Sequence, residues 1–220
     1  MNHRKLPLNF FGKSDAEFQR FHEKHLFKVK DTRFIESQGK ALLNQKHNPS
    51  FGQLRDFSKL VFSWGGRTGG RVRWRTLKVP SRDFRYAFLA ALFYIRAKEF
   101  FLALLHTQTI SGLRSLSYSS KHLRFFWPEY FGVLDSFVEN HLKKTFPSLS
   151  SLHRLYLYCV YCQEKAAELS KRGLLLGDCL PTTPNYPVYS NAAKPWRAAD
   201  VDMAVFAKLS FAAKRKGWYP

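Results

Sequence analysis

Apolar residues recur every three or four positions along most of the chain, which is the spacing of helices that bury one face. Over residues 54–64, for example, they stand at positions 54, 57, 60, 61 and 64. Similar patterns predict helices over residues 14–46 (one or two), 54–64, 81–106 (one or two), 119–126, 135–144, 152–172 and 198–216. The pattern therefore predicts a mostly helical fold.

Stretches rich in glycine and proline separate these helices. Four glycines between Gly65 and Gly70 predict a loop that ends the helix over 54–64. Residues 71–79 are compatible with a short strand or an extended segment, and a tight turn is expected around Ser111 and Gly112. The proline-rich residues 174–195 predict a long irregular loop. No repeat or sharp change in composition marks a second domain, so we expect one domain over residues 1–220.

The chain is strongly basic. It has 36 Lys and Arg against 16 Asp and Glu, a formal net charge of +20. Such a surplus disfavours the compact state through self-repulsion, which a polyanionic partner relieves. Nucleic acid fits best because phosphate contacts release condensed counterions, and double-stranded DNA is the partner that we expect. A membrane surface or an acidic protein could use the same charge.

Apolar runs and cysteines bear on the compartment. The longest apolar stretch, residues 84–105, is interrupted by charged residues, so we expect a buried or amphipathic helix and no membrane contact. The first residues contain no apolar run of signal-peptide length. Three cysteines make a poor disulfide framework. We therefore expect a cytoplasmic protein, and the resemblance to bacterial proteins described below implies association with the nucleoid.

Residues 111–142 combine a helix end, a tight turn, a helix, a loop that follows Trp127-Pro128, and an acidic residue that opens the next helix. Such a turn exposes backbone N–H groups at a helix N-terminus, which suits a DNA phosphate. Asp135 follows the apolar residues 131–134 and stands where a carboxylate caps a helix. The pattern is also that of an ordinary N-cap, worth about 1 kcal/mol without any substrate.

The segments Ser119–Arg124 (SSKHLR) and Val133-Leu134-Asp135 resemble the hairpin and catalytic segment of the helix-hairpin-helix DNA glycosylases. The similarity is closest to archaeal-type 8-oxoguanine glycosylases and to short bacterial proteins with an OGG-like fold, as are Trp64-Gly65-Gly66 and residues 196–204 (WRAADVDMA). The resemblance implies a helical helix-hairpin-helix glycosylase-like fold and extrusion of the target base from the duplex. It also implies that Asp135 stabilises the positive charge that develops on the deoxyribose.

The chain departs from this family at the nucleophile. Family members that form a Schiff base have a lysine about eighteen residues before the aspartate, and Ser117 occupies that position here. Lys121 follows one helical turn later and could point the same way. Three interpretations stay open: Lys121 is the nucleophile, the protein is a glycosylase without lyase activity, or catalysis is lost. An exposed lysine that contacts phosphate is the alternative for Lys121.

A basic, glycine-rich segment covers residues 64–78 (WGGRTGGRVRWRTLK). Arginine matches phosphate with two hydrogen bonds and stacks on bases, while tryptophan offers a stacking face. The segment lacks the sequence of the phosphate-binding loop of nucleotide hydrolases. The alternative interpretation of this segment is a solvated loop whose tryptophans belong to the core. With the hairpin, the predicted nucleic-acid contacts are Trp64, Arg67, Arg71, Arg73, Trp74, Arg75, Lys78, Gly112, Arg114, Ser117, Ser119 and Ser120.

Two further groups of residues give weaker indications of function. Cys159 and Cys162 have the spacing of half a zinc site, but a second ligand pair is lacking and core packing is the better interpretation. We therefore expect no metal and no cofactor. Asp200 and Asp202 lie near the start of the last predicted helix, where the helix dipole explains them. Lys208, Lys214, Arg215 and Lys216 make its end basic.

Two functions from different classes follow. The first is a DNA glycosylase that flips a damaged purine such as 8-oxoguanine from the duplex and cleaves its N-glycosidic bond. The second is a non-catalytic nucleic-acid-binding protein of a mobile element, defence locus or ribonucleoprotein. Salt-sensitive binding without base release distinguishes the second from the first.

Overall fold

The computed structural model describes residues 5–12, 14–26, 32–67, 81–109, 115–174 and 195–215. Within these ranges the chain is mostly helical, as predicted, and contains no strand. The helices are α1 (Asp15–Leu26), α2 (Thr32–Asn44), α3 (Phe51–Arg67), α4 (Ser81–Arg96), α5 (Phe100–Thr109), α6 (Leu116–Phe126), α7 (Ser136–Thr145), α8 (Ser151–Lys171) and α9 (Ala198–Arg215).

Local signals fix several helix ends. The Ser14 hydroxyl accepts the Glu17 backbone N–H at 3.3 Å at the start of α1, and Ser150 accepts the His153 N–H at 3.3 Å at the start of α8. These bonds satisfy amides that have no partner inside a helix. Gly173 follows α8 with φ of +76°, a left-handed conformation that glycine adopts without strain.

The chain divides into two compact units. The central unit comprises residues 29–134, and the terminal unit comprises residues 1–28 and 135–220. The single domain expected over residues 1–220 stays a prediction.

Helix α6 lies at the centre of the central unit, where it packs against α2, α3 and α5. Every residue from Tyr118 to Phe126 is buried. Phe57 of α3 contacts Phe126 with ring centroids 4.5 Å apart, and Phe88 of α4 reaches the same ring at 6.0 Å. A helix buried all round has to place its polar side chains against partners from other helices, and α6 does so with His122 and Arg124.

Helix α9 lies at the centre of the terminal unit, where it packs against α1, α7 and α8. The core is aromatic: the ring centroid of Phe11 lies 5.5 Å from that of Tyr158 and 5.0 Å from that of Tyr161, both on α8. Phe137 of α7 contacts Phe206 of α9 at 5.7 Å. These contacts fix α7, which begins directly after Asp135.

The structure corrects one boundary. The loop predicted from Gly65 onward is wrong at its start, because α3 continues through Gly65 and Gly66 to Arg67. Burial of the preceding turn gives the reason: the Trp64 indole N–H donates to Thr32 at 3.0 Å and its ring packs edge-on against Phe125. A glycine costs a helix about 1 kcal/mol, which tertiary packing of one large side chain exceeds.

Other predicted features lie outside the described residues. These are the extended segment at 71–79, the turn at Ser111 and Gly112, and nearly all of the irregular loop at 174–195. Among the described helices, none combines the length and the apolar character that crossing a lipid bilayer requires.

Candidate functional site

Asp135 is the N-cap of α7. Its Oδ1 accepts the backbone N–H groups of Phe137 at 2.8 Å and of Val138 at 2.9 Å, which confirms that it opens this helix. Its side chain is half-buried, whereas residues 131–134 before it are buried. The helix therefore holds the carboxylate in one orientation, and the side chain remains accessible from solvent. This arrangement is compatible with a purely structural cap and with a reacting group.

Ser119 and Ser120 are fully buried on α6. The Ser119 hydroxyl donates to the carbonyls of Ser115 and Leu116 at 3.2 and 3.3 Å. The Ser120 hydroxyl donates to the carbonyl of Ser117 at 3.2 Å and accepts the N–H of Leu134, also at 3.2 Å. The hydroxyls hold the helix and the segment that leads to Asp135, so this geometry gives their predicted contact with nucleic acid no support. Ser117 is half-buried.

Lys121 is buried on α6, with only 7% of its surface exposed. Its Nζ lies 4.8 Å from the centroid of the Tyr118 ring. An aromatic face at that distance stabilises a cation, and less so a neutral amine. This environment differs from the exposed, phosphate-contacting lysine that was the alternative interpretation.

His122 joins α6 to α3, a role that the sequence analysis did not assign. Its Nδ1 lies 2.8 Å from the Tyr118 carbonyl and its Nε2 lies 3.2 Å from Ser58 Oγ, so Nδ1 carries the proton and Ser58 donates. Burial, together with the charge of Lys121, lowers the pKa of His122 to about 4. The neutral imidazole is therefore a structural element of the core.

Arg124 and Glu36 form a buried ion pair between α6 and α2, with Arg124 Nη2 and Glu36 Oε1 3.4 Å apart. The guanidinium also lies 5.4 Å from the centroid of Trp64 and 4.8 Å from that of Phe125. Trp64, which is 8% exposed, is thus enclosed between α2 and α6. This geometry does not support the predicted stacking of Trp64 on a base.

The carboxylates near the start of α9 have buried partners, so the helix dipole alone does not explain them. Asp200 accepts hydrogen bonds from the Arg197 side chain at 2.8 Å and lies 3.6 Å from Nε2 of His22. Asp202 accepts the hydroxyl of Tyr158 at 2.8 Å. Arg197 stands only three residues before Asp200, whereas His22 of α1 and Tyr158 of α8 are too distant in the sequence for any local pattern to indicate them.

Most of the predicted basic contacts lie outside the described residues. Arg71, Arg73, Trp74, Arg75, Lys78, Gly112 and Arg114 belong to this group, and Arg67 is the last residue of α3, with only its backbone described. The sequence still places this charge in the central unit, which has 18 Lys and Arg against 6 Asp and Glu.

Cys159 and Cys162 are buried in α8. Burial and the charge of Asp202 raise the pKa of the Cys162 thiol well above its usual value, which makes it a poor metal ligand and a poor nucleophile. Among the described residues, no cluster of three or more His, Cys, Asp or Glu side chains could hold a metal ion.

Comparison of the chain with models of known protein families, with curated proteins and with solved structures finds no match.

Proposed function

We propose that this protein binds double-stranded DNA and removes a damaged purine by hydrolysis of its N-glycosidic bond, with Asp135 as the catalytic carboxylate. The observation that carries the proposal is the state of Asp135, whose Oδ1 is fixed by two backbone amides while the side chain stays half-exposed. A preorganised carboxylate is what a cationic transition state requires, because no reorganisation is needed when the charge develops.

The proposed reaction breaks the bond between C1′ of the deoxyribose and the purine nitrogen. The bonding electrons leave with the purine, and C1′ and the ring oxygen share the resulting positive charge. Asp135 stabilises this charge and accepts a proton from the water that attacks C1′. The departing purine anion takes up one proton from solvent, and Asp135 releases its own proton to solvent, which restores the carboxylate. The products are the free purine and an abasic site, so no oxidant, reductant or cofactor is needed.

We favour hydrolysis over a route through a Schiff base. Ser117 stands where the lysine-bearing family members have their nucleophile, and a serine cannot form an imine. Lys121 is only 7% exposed and its Nζ lies 4.8 Å from the centroid of the Tyr118 ring, so its amine is packed into the core and is not presented to a substrate. The proposal therefore assigns the chemistry to Asp135 and a structural role to Lys121.

Base release from a duplex with a single 8-oxoguanine tests the proposal. Wild type should release the damaged base and leave an abasic site, while Asp135→Asn should lose at least about 100-fold in single-turnover rate because it removes the charge. Lys121→Met should retain base release, and borohydride should trap no covalent complex with wild type. Equal rates for wild type and Asp135→Asn would remove Asp135 from the mechanism.

Binding without catalysis is the second candidate, and one observation favours it. Neither Ser117 nor the buried Lys121 offers a solvent-exposed amine at the family's nucleophile position. This candidate keeps the basic central unit as the contact surface and predicts salt-sensitive DNA binding with no release of any base by wild type.

A further inference from the structure

We propose that one exposed face of α7 holds the sugar-phosphate strand that leads away from the extruded nucleotide. This inference rests on the proposed function, because it places the DNA strand relative to Asp135. The face consists of Ser136, Asn140, Lys143 and Lys144, and we refer to it as the α7 donor face.

The α7 donor face follows from the helical repeat. Ser136, Asn140, Lys143 and Lys144 are exposed and stand at positions i, i+4, i+7 and i+8, whereas Val138 and Leu142 are buried. At a rise of about 1.5 Å per residue, Asn140 lies about 6 Å along the axis from Ser136 and Lys144 about 6 Å further on. This step is of the order of the distance between successive phosphates of one strand.

The side chains on this face are all donors of the kinds that contact phosphate: a hydroxyl, an amide and two ammonium groups. The helix dipole by itself explains lysines in the last turn of a helix. It does not explain a hydroxyl and an amide on the same stripe, in line with the lysines and directly after Asp135. The stripe as a whole is therefore what suggests a phosphate strand.

The acidic residue within α7, Glu139, is paired with residues of α8. Glu139 Oε1 accepts hydrogen bonds from Arg154 Nη2 at 2.6 Å and from Ser151 Oγ at 2.7 Å, both on α8. Burial raises the pKa of Glu139, but the bonds from Arg154 and Ser151 outweigh it and lower the pKa overall. The charge of Lys143 on the donor face also lowers this pKa, so Glu139 is close to that face, and its pairing with Arg154 offsets the repulsion that it would exert on a phosphate.

Lysines of both α7 and α9 lie close to His141. His141 is half-buried on α7, and burial lowers its pKa, as do the charges of Lys144 and Lys208. Lys208 of α9 pairs with Glu17 at 2.7 Å. Both lysines are therefore close to His141, but Glu17 neutralises Lys208, so Lys144 is the lysine from which a phosphate there would gain.

A DNA strand fits these observations better than an acidic protein segment does. A regular ladder of donors matches the phosphates of any nucleic-acid strand, whereas a polypeptide offers such a ladder only where it is extended and has a carboxylate at every second residue. The strand would run from Asp135 along α7, so that the contacts lie a few nucleotides from the reacting sugar. The lysines would then contribute to binding and not to the chemical step.

The test compares Lys143→Ala/Lys144→Ala with Lys171→Ala, an exposed lysine at the end of α8 in the same unit. The probe is the duplex with a single 8-oxoguanine, and the measurement is the dependence of log K on log salt concentration. The double variant should lower the magnitude of this slope by about 2, since each phosphate contact contributes about 0.9. Lys171→Ala should leave it unchanged, and unfolding in urea should show that both variants are folded.

Other outcomes separate the inference from the proposed function. If wild type releases no base but the double variant still lowers the slope, the strand contact stands and the glycosylase proposal fails. If base release occurs and the slope is the same in both variants, the function stands and the contact is overturned. An equal loss of slope with polyglutamate as the ligand would overturn the match to a phosphate strand.

Discussion

Tyr158 of α8 donates its hydroxyl to Oδ1 of Asp202 on α9 at 2.8 Å, inside the core of the terminal unit. Tyr158 is fully buried and Asp202 is 4% exposed. Burial, followed by the charge of Asp202, raises the pKa of the Tyr158 hydroxyl well above its usual value, so the phenol stays protonated and donates. This bond supplies a hydrogen-bond donor to a carboxylate that is buried away from water, which lowers the cost of its burial.

Tyr158→Phe should therefore lower the free energy of unfolding by about 1–3 kcal/mol, the cost of removing one partner from a buried charged group. Urea unfolding followed by circular dichroism measures this change. Tyr86→Phe is the matched control, because Tyr86 is 72% exposed, and its midpoint should not move. A Tyr158→Phe midpoint equal to that of wild type would show that the bond contributes nothing.

Gly39 of α2 lies directly against the backbone of α6. A Cβ at this position would overlap the carbonyl oxygen of Phe125 and lie 2.7 Å from its carbonyl carbon, so the two helices would have to separate. Gly39→Ala should cost about 3 kcal/mol or more in the free energy of unfolding, at or above the upper end for overpacking, because backbone atoms cannot rotate away.

Gly52→Ala is the control for this substitution. A Cβ on Gly52, in the first turn of α3, would have Ser50 Oγ at 3.8 Å as its nearest neighbour. Alanine favours a helix over glycine by up to about 1 kcal/mol, so this variant should be as stable as wild type or more stable. Similar losses for both glycines in thermal unfolding would contradict the close approach of α2 and α6.

Local signals explain which parts of the fold the sequence could predict. The helix over 135–144 was predicted to within one residue, because an N-cap residue and a helical repeat lie within a few positions of each other. The extension of α3 through Gly65 and Gly66 was missed, since the residues that anchor Trp64 stand 32 and 61 positions away in the chain. A glycine pair predicts a break only where no tertiary contact opposes it.

The buried polar pairs could not be predicted for the same reason. His122 meets Ser58 across 64 residues, and Tyr158 meets Asp202 across 44. Nothing in the local pattern distinguishes such a histidine from a surface one. Asp135 was identified as a cap from the sequence, but its catalytic role came from resemblance and stays a prediction. The donor face on α7 could have been found by applying the helical repeat to its polar residues.

His122 predicts a dependence of stability on pH. Its pKa of about 4 in the folded state lies below the value of 6.5 in the unfolded chain, so between these values the unfolded chain binds a proton that the folded protein does not. Stability from this group is complete above pH 6.5 and is lost as the pH falls, by about 3 kcal/mol at pH 4. Urea unfolding from pH 7.5 to pH 4 measures the slope.

His122→Gln keeps groups that can hydrogen-bond and removes the titration, so its stability should depend less steeply on pH than that of wild type. His47→Gln, at an exposed position in the turn before α3, should keep the wild-type slope. Parallel pH profiles for wild type and His122→Gln would show that the imidazole binds its proton equally well in the folded and the unfolded protein, contrary to its burial between α3 and α6.

Asp135 combines a cap with the proposed reacting group, and two substitutions separate these roles. Asparagine caps helices as well as aspartate does, so Asp135→Asn should lose only about 0.5 kcal/mol of stability, through the missing charge at the positive end of α7. Asp135→Ala also removes the acceptor for the amides of Phe137 and Val138 and should lose about 1–2 kcal/mol. Thermal unfolding gives both values on the same preparations used for base release.

A stable Asp135→Asn protein without base release would assign the loss to the carboxylate charge, because the helix remains capped. If Asp135→Asn instead unfolds as readily as Asp135→Ala, its inactivity would reflect damage to α7, and Asp135 would then be a structural residue.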